Sequence, residues 1–234
     1  MKVSVVIPAL NEEASLPATI RSARQAGADE VIVADGGSAD RTGEIARPLA
    51  DILLFEGRGR AAQMNAGARA ASGDALLFLH ADTLLPSGSI RAVRDALRRE
   101  DILGGAFSVR IGISASAPPS RAAILRLTGR MIGVRARCFR AYTGDQAIFA
   151  RRKVHAAIGG FPELPLMEDV EYSRRLTRMG KTVLLPVRVT TSGRRWEANG
   201  PLRTILLMWG LRLAYVLGMS PAACANLYGW SRGR

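Results

Sequence analysis

The sequence holds 234 residues, of which 48% are hydrophobic, 23% charged and 6% aromatic. That is the balance of a globular chain able to bury its own core, and it excludes disordered and collagen-like classes. Two cysteines, Cys138 and Cys224, without Cys-x-x-Cys spacing exclude a disulfide framework and a thiolate zinc site and fit a reducing, cytoplasmic setting. Lys and Arg outnumber Asp and Glu by 33 to 20, a net charge of +13, so an anionic partner is expected: a phosphorylated substrate, a nucleic acid or an acidic membrane surface.

Met1 to Leu10 has one Lys and a short apolar run before Asn11-Glu12-Glu13, too short and too acidic for a signal peptide. Val3-Ser4-Val5-Val6-Ile7, ended by Pro8, reads as a buried strand. Ala14 to Gln25 has helical spacing and stops at Gly27. Val31 to Ala34 is a second strand, followed by a Gly36-Gly37 turn and a short helix from Asp40. Ile52 to Phe55 is a third strand, Arg60 to Ala71 a helix, Ala75 to Leu79 a fourth strand and Ser87 to Arg99 a further helix. Beyond it the rhythm changes: a strand over Gly104 to Ile111, a basic helix over Pro118 to Ile132, a loop over Val134 to Tyr142 and a strand over Gln146 to Ala150. Met167 to Met179 reads as a helix, Thr182 to Leu185 as a strand and Pro201 to Gly218 as a terminal helix. Apolar strands alternating with helices predict an α/β fold, a mostly parallel sheet covered on both faces. No linker or repeat divides the chain, so one domain is expected over 1–234: a nucleotide-binding half (1–100), a substrate-binding half (101–200) and a C-terminal helical segment (201–234).

In open α/β sheets, ligands gather at the carboxyl ends of the strands. The first strand leads into Pro8-Ala9-Leu10-Asn11-Glu12, the second ends at Asp35 and the fourth at His80-Ala81-Asp82. If strand geometry persists, His80 and Asp82 point to one side and could share an ion or a ligand. A carboxylate with an imidazole suits Mn, whereas Mg would keep more waters. The alternative makes His80 a hydrogen-bonded strand-end residue and Asp82 a cap or turn acid. Gly57-Arg58-Gly59-Arg60 could hold phosphate at a helix N-terminus, or simply end a strand. Neither GxGxxG after the first strand nor a P-loop motif occurs, against dehydrogenase and P-loop classes. Glu168-Asp169 opens a helix on which Tyr172, Ser173, Leu176 and Met179 share the face of Asp169. A buried acid there suits a general base, and an acid complementing the helix dipole is the other reading.

Several segments occur in order: Val5-Val6-Ile7-Pro8-Ala9-Leu10-Asn11-Glu12-Glu13, Val33-Ala34-Asp35-Gly36-Gly37-Ser38 and Gly59-Arg60-Ala61-Ala62-Gln63-Met64-Asn65-Ala66-Gly67. Gly73-Asp74, Phe78-Leu79-His80-Ala81-Asp82, Gly159-Gly160-Phe161-Pro162 and Glu168-Asp169 follow. Together they resemble the family 2 glycosyltransferases, which have the nucleotide-sugar-binding GT-A fold. Asp-Gly-Gly-Ser, His-Ala-Asp and Arg194-Arg195-Trp196 look like the bacterial subgroup called selenodomain-associated transferases. The resemblance implies an inverting transfer of a sugar from a nucleotide-diphosphate donor, a UDP-sugar, to an acceptor hydroxyl. It implies that Pro8, Ala9 and Glu12 line the nucleotide pocket, that Asp35 holds the uracil or ribose, and that Arg60 and Asn65 border the base and phosphates. His80-Ala81-Asp82 stands where the family has Asp-x-Asp. Asp82 would bind a divalent metal, Mn or Mg, and His80 replaces the first acid. Asp169 matches the catalytic base, with Asp145, Gln146, Glu168, Arg195 and Trp196 on the acceptor side. Trp196 and the arginines before it match the Gln-x-x-Arg-Trp element of processive relatives only in part. The membrane helices of those synthases have no counterpart here, so polymer extrusion is not expected.

Two alternatives stand beside that reading. A nucleotidyltransferase would carry a Gly-rich basic loop directly after the first strand, where this chain has Pro-Ala-Leu-Asn-Glu-Glu. A noncatalytic nucleotide-sugar-binding protein would keep Asp35 and Asp82 without needing Asp169. A nucleic-acid partner is not expected, because no recognition motif or aromatic platform accompanies the charge. Nine basic residues and one acid, Asp145, fall in the window 115–160. The terminal helix offers Ile205, Leu206, Met208, Trp209, Leu213, Val216 and Leu217 beside Arg203 and Arg212. This surface either rests on the inner face of an anionic membrane or packs on the sheet or on a second subunit.

Overall fold

In the computed structural model, residues 1–55, 59–114 and 117–229 are described. Strand β1 (Val3–Ala9) lies at the centre of the first half. It pairs in parallel with β2 (Glu30–Asp35) and with β4 (Ala75–Phe78), and β2 pairs in parallel with β3 (Ile52–Phe55). The apolar runs come from period-two packing on two faces. Val5, Ile7, Val31, Val33 and Leu77 enter one core with helices α1 (Leu16–Gln25) and α4 (Ser89–Leu97). Val6, Ile32, Leu76 and Phe78 enter the other, with α3 (Arg60–Ala70) and later α7 (Glu168–Met179). A short helix α2 (Thr42–Ala46) follows Asp40, whose Oδ1 accepts from the backbone N–H of Thr42 at the helix start over 3.0 Å.

The second half extends the same sheet with mixed pairing. The strands are β5 (Thr83–Leu84), β6 (Ile102–Ile111), β7 (Phe149–Arg151) and β8 (Lys181–Thr191), and the full order is β3-β2-β1-β4-β7-β6-β8-β5. β7 runs antiparallel to both β4 and β6, β8 is parallel to β6, and β5 is antiparallel to β8. Helices α5 (Pro119–Phe139), α6 (Arg152–Ala157), α8 (Arg194–Asn199), α9 (Pro201–Val216) and α10 (Pro221–Leu227) complete the described chain.

Four expectations are corrected. The loop expected over Val134 to Tyr142 is helical to Phe139, because no breaker follows Gly133; α5 ends only where Arg140 turns left-handed at φ 48°. The strand expected over Gln146 to Ala150 is a three-residue 3-10 turn, Gly144–Gln146, leading into the shorter β7. The strand expected to stop at Leu185 runs on to Thr191, with Pro186 falling where the pairing to β6 shifts register between Phe107 and Ser108. Met179, expected on the inward face of α7, is 53% exposed, whereas Tyr172, Ser173 and Leu176 are buried. Elements β5, α6, α8 and α10 had no clear signal.

Gly67 marks the closest approach of α3 to the sheet: a Cβ there would stand 2.3 Å from Val6 Cγ1. Gly67→Ala should therefore cost about 1–3 kcal/mol by overpacking. Gly210, inside α9 with open space around it, is the control: its change to Ala should stabilise by roughly 0.4–1 kcal/mol. Denaturant midpoints of the two variants should move in opposite directions.

Candidate active site

The strand order turns back between β1 and β4, so the crevice of this sheet opens at their carboxyl ends. The loops after β1 and β2 are laced together there. Asn11, left-handed at φ 54°, accepts from the backbone N–H of Ala39 over 2.8 Å, and Thr42 Oγ1 accepts from the N–H of Glu12 over 2.8 Å. Asp35 is 3% exposed, and its Oδ1 accepts from both the N–H and the hydroxyl of Ser38 at 2.9 and 2.6 Å. After β4 the chain does not stay extended. The N–H of Thr83 closes a turn on the carbonyl of His80 at 3.0 Å, and His80 and Asp82 find different partners.

Asp82 faces the end of β8. The N–H of Ser192 donates to the Asp82 carbonyl over 3.0 Å, which brings Arg194 to the crevice. One Arg194 nitrogen donates to both carboxylate oxygens of Glu12 at 3.0 and 2.8 Å and lies 3.5 Å from Asp82 Oδ2. Asp82 and Arg194 also line a cleft of about 390 Å³ with Thr19, Thr190, Ser192 and Glu197, within the range of ligand sites.

His80 turns the other way. Its Nδ1 lies 3.4 Å from Asp145 Oδ1, and its Nε2 is buried against Gly144, where a Cβ would come within 2.1 Å of it. The same Gly144 donates its N–H to Asp169 Oδ2 at 2.8 Å. Glu168, 4% exposed, pairs through Oε1 with Arg60 Nη1 at 3.0 Å. Burial, together with the neighbouring Glu168 carboxylate, raises the Asp169 pKa to about 6, against the lowering effects of the Gly144 N–H, Arg60 and His80. Behind this loop, Arg135 donates to Thr143 Oγ1 at 3.2 Å and Gln146 Oε1 at 3.4 Å. Burial holds its guanidinium below its ordinary value, against the opposite pull of Asp169 and Asp145.

The expected site residues divide accordingly. Glu12, Asp35, Asp82 and Asp169 lie at the carboxyl edge or on the loops and helix start that close over it. Pro8, Ala9 and Ala81 are buried. The Ala9 carbonyl accepts from Gly36 and Gln63, and the Ala81 carbonyl from Thr19. Asn65 was expected beside the nucleotide, but both its amide atoms clasp Phe161, donating to its carbonyl and accepting from its N–H at 2.8 Å each. Arg60 likewise engages Glu168. Gln146, expected to meet the acceptor, is fully buried, and its Nε2 donates to the Phe107 carbonyl over 3.2 Å, so it holds the loop instead. Trp196 is half-buried on α8. The Arg195 side chain and the Gly57-Arg58 part of the glycine-rich stretch lie outside the described residues. Arg194 and Arg135 were missed as site residues. The doubled arginine before Trp196 was the only signal for Arg194, and nothing in the sequence separated Arg135 from the other arginines of its helix.

For a metal the donor set is sparse. Among the described residues no three His, Cys, Asp or Glu side chains converge; His80 Nδ1 faces Asp145, and its Nε2 is buried against Gly144 without a hydrogen-bond partner. A single carboxylate, Asp82, fits an ion that takes most of its ligands from phosphate oxygens and water, and it does not fit a cage built by the protein alone.

Comparison with known proteins adds to this geometry. The profile of Glycosyl transferase family 2 matches residues 4–158. An undecaprenyl-phosphate 4-deoxy-4-formamido-L-arabinose transferase of Pseudomonas aeruginosa is 34% identical over 144 residues, covering 54% of this chain and 42% of its own. The Aeromonas hydrophila protein of the same name is 39% identical over 117 residues, 44% of this chain and 36% of its own. The chain thus spans less than half the length of the curated relatives it matches. Among solved structures, Staphylococcus aureus TarS with UDP superposes with a TM-score of 0.63 at 19% identity, covering 82% of this chain and 60% of that one. Glucosyl-3-phosphoglycerate synthase of Mycobacterium tuberculosis, with Mg²⁺ and UDP, gives 0.57 at 22% identity, covering 81% and 70%.

The Asp169 carboxyl carries a pH-dependent cost to the fold. A folded-state pKa raised from the ordinary 3.8 to about 6 leaves stability complete below pH 3.8 and removes it as pH rises through 6. Asp169→Asn should therefore gain on the wild type as pH climbs from 4 to 7, by on the order of 2 kcal/mol. Denaturation midpoints measured across that range should diverge, and parallel curves would show an unperturbed carboxyl.

Proposed function

The chain belongs to glycosyl transferase family 2, with a GT-A fold, and from that premise we propose that it moves a sugar from a UDP-sugar to an acceptor hydroxyl with inversion. The observation that carries the reading is Asp169, a carboxyl with a pKa near neutrality at the start of α7, one residue from a neighbour already neutralised by Arg60. Such a group is ionised enough at pH 7 to accept a proton and basic enough to pull on one. Asp169 takes the proton of the acceptor hydroxyl as that oxygen attacks the anomeric carbon. The sugar–phosphate bond breaks on the opposite face, and the electron pair leaves with the nucleoside diphosphate.

The donor would lie along the carboxyl edge, with Asp35 on the uracil or ribose and Glu12 beside it. Arg194, which in this structure bridges Glu12 and Asp82, is an exposed cation at the crevice and would follow the charge of the diphosphate. A divalent ion, Mg or Mn, would be held by Asp82 together with the phosphates and would neutralise charge on the leaving group. That two structural neighbours were solved with UDP, one of them with Mg²⁺ as well, supports the donor class. The names of the curated relatives point to a lipid-phosphate acceptor for those proteins; an anionic or lipid-linked acceptor is our proposal for this one. A cytoplasmic placement at the inner face of the membrane goes with it, and two unpaired thiols, Cys138 and Cys224, suit a reducing compartment.

Two measurements test the reading. Asp169→Asn should keep UDP affinity within a few-fold and lower turnover by roughly 10²-fold or more; turnover near wild type would leave Asp169 as a helix-terminus acid. Calorimetry should show UDP binding weakened alike by a chelator and by Asp82→Ala, and equal affinity in all three conditions would remove the metal from the proposal.

A further inference from the structure

Sixteen large apolar side chains are exposed among the described residues, and eleven of them lie on α5, α9 and α10 or at the C-cap of α9. On α9 they form a single stripe, Leu202, Leu206, Trp209, Leu213 and Val216, from 58% to 80% exposed. The spacing of four and three residues keeps all five on one face for about 21 Å. The opposite face of α9 is satisfied, since Thr204 and Leu211 are buried and Leu207 and Tyr215 pack against the small core that holds Cys224. On α5, Leu127, Met131 and Val134 repeat the pattern. The two helices are neighbours, with Met131 and Trp209 walling one narrow cleft.

Charge decides what covers this face. Neither α5, α9 nor α10 contains an acidic residue. Arg126, Arg130, Arg137 and Arg203 are exposed beside the apolar stripes and have no ion-pair partner among the described residues. The Nε of Arg212, on α9, is buried without a hydrogen-bond partner. A second copy docked by this face would bring arginines to arginines with no carboxylate to pair them. No helix among the described residues is long and apolar enough to cross a membrane, so against a bilayer this face would lie along the surface and not span it. We infer that α5 and α9 together dock on an anionic lipid surface, the apolar stripes entering the headgroup layer and the arginines meeting lipid phosphates.

The face also borders the chemistry. Arg135 lines the α5–α9 cleft and donates to Thr143 Oγ1, next to the Gly144 whose N–H holds Asp169. Under the transfer reading above, an acceptor carried in the leaflet would present its polar head beside that loop.

The test is vesicle binding, which needs no turnover and so can fail while the transfer reading stands, or the reverse. The full chain should sediment with phosphatidylcholine vesicles containing phosphatidylglycerol, weakly or not at all with phosphatidylcholine alone, and less as salt rises. Trp209→Ser with Leu213→Ser should weaken binding on the order of tenfold or more. Arg126→Gln and Arg130→Gln should each weaken it about fivefold and flatten the salt dependence. Both pairs are exposed, so circular dichroism and the unfolding midpoint should not move. Failure to bind acidic vesicles at low salt, or binding that ignores both pairs of changes, overturns the inference. So does a concentration-dependent dimer that the Trp209/Leu213 variant abolishes, which would make a second copy the occupant.

Discussion

Two carboxyl groups side by side at the start of one helix, mostly withdrawn from water, cannot both stay ionised without a cation. Glu168 and Asp169 meet that constraint through Arg60, which comes from the first turn of α3, 108 residues earlier, to pair with Glu168. Burial, with the Glu168 charge beside it, raises the Asp169 carboxyl to about 6. Its geometry is set independently by the Gly144 N–H, which fixes one oxygen. Arg60 thus acts on the site in two ways: it pairs with Glu168, and its charge opposes the rise that burial imposes on Asp169.

The same helix is bound to the second half twice. Arg60 reaches Glu168 from its first turn, and Asn65 clasps the backbone of Phe161 one turn later. Phe161 stacks on Tyr172 of α7 with ring centroids 3.9 Å apart, and Phe78, at the end of β4, meets Phe161 edge-on at 4.7 Å. The strand that leads to Asp82 and the helix that carries Asp169 therefore share one aromatic block. Under the proposed transfer, fixed spacing between these two elements matters, because misplacement of even about 1 Å costs rate. Close packing also explains the glycines of this region: a side chain at Gly160 would meet Asn65 Oδ1 at 2.6 Å and one at Gly144 would meet His80.

The parallel half of the fold was legible because its strands are covered on both faces, and continuous apolar runs such as Val3 to Ile7 have few other uses. The mixed half was not. β8 continues through Pro186 by a register shift that no period reveals, and β7 has three residues. At the site, the acids at strand ends and at the start of α7 could be read from position alone. Their partners could not. Arg194 finds Glu12 across 182 residues and Arg60 finds Glu168 across 108, and a linear pattern records neither. Asn65, expected from the resemblance to border the nucleotide, has its amide engaged by the backbone of Phe161, 96 residues away, which a linear pattern does not record either. His80 and Asp82 would share a side only if the strand persisted, and β4 ends at Phe78 before a turn closes from Thr83 to His80.

The charge of the molecule is sorted by structure as well as by sequence. At the edge where β1 and β2 begin, carboxylates serve the backbone. Asp29 accepts from the Val3 N–H and from Arg94, and Asp51 from the Val31 N–H and from Arg24. Asp29 stays below its ordinary pKa despite burial, because these donors outweigh it, and the Arg24 bond does the same for Asp51. At the crevice Glu12 and Asp82 share Arg194, and Glu168 has Arg60. Acids are thus committed at that edge and at the site, while α5 and α9 carry arginines without an acid and α10 carries no charged residue. A net charge of +13 spread evenly would be a matter of solubility. The seven arginines of α5 and α9 instead lie on the two helices that carry the exposed apolar stripes, and under the docking inference a surface both apolar and cationic is complemented by one both apolar and anionic.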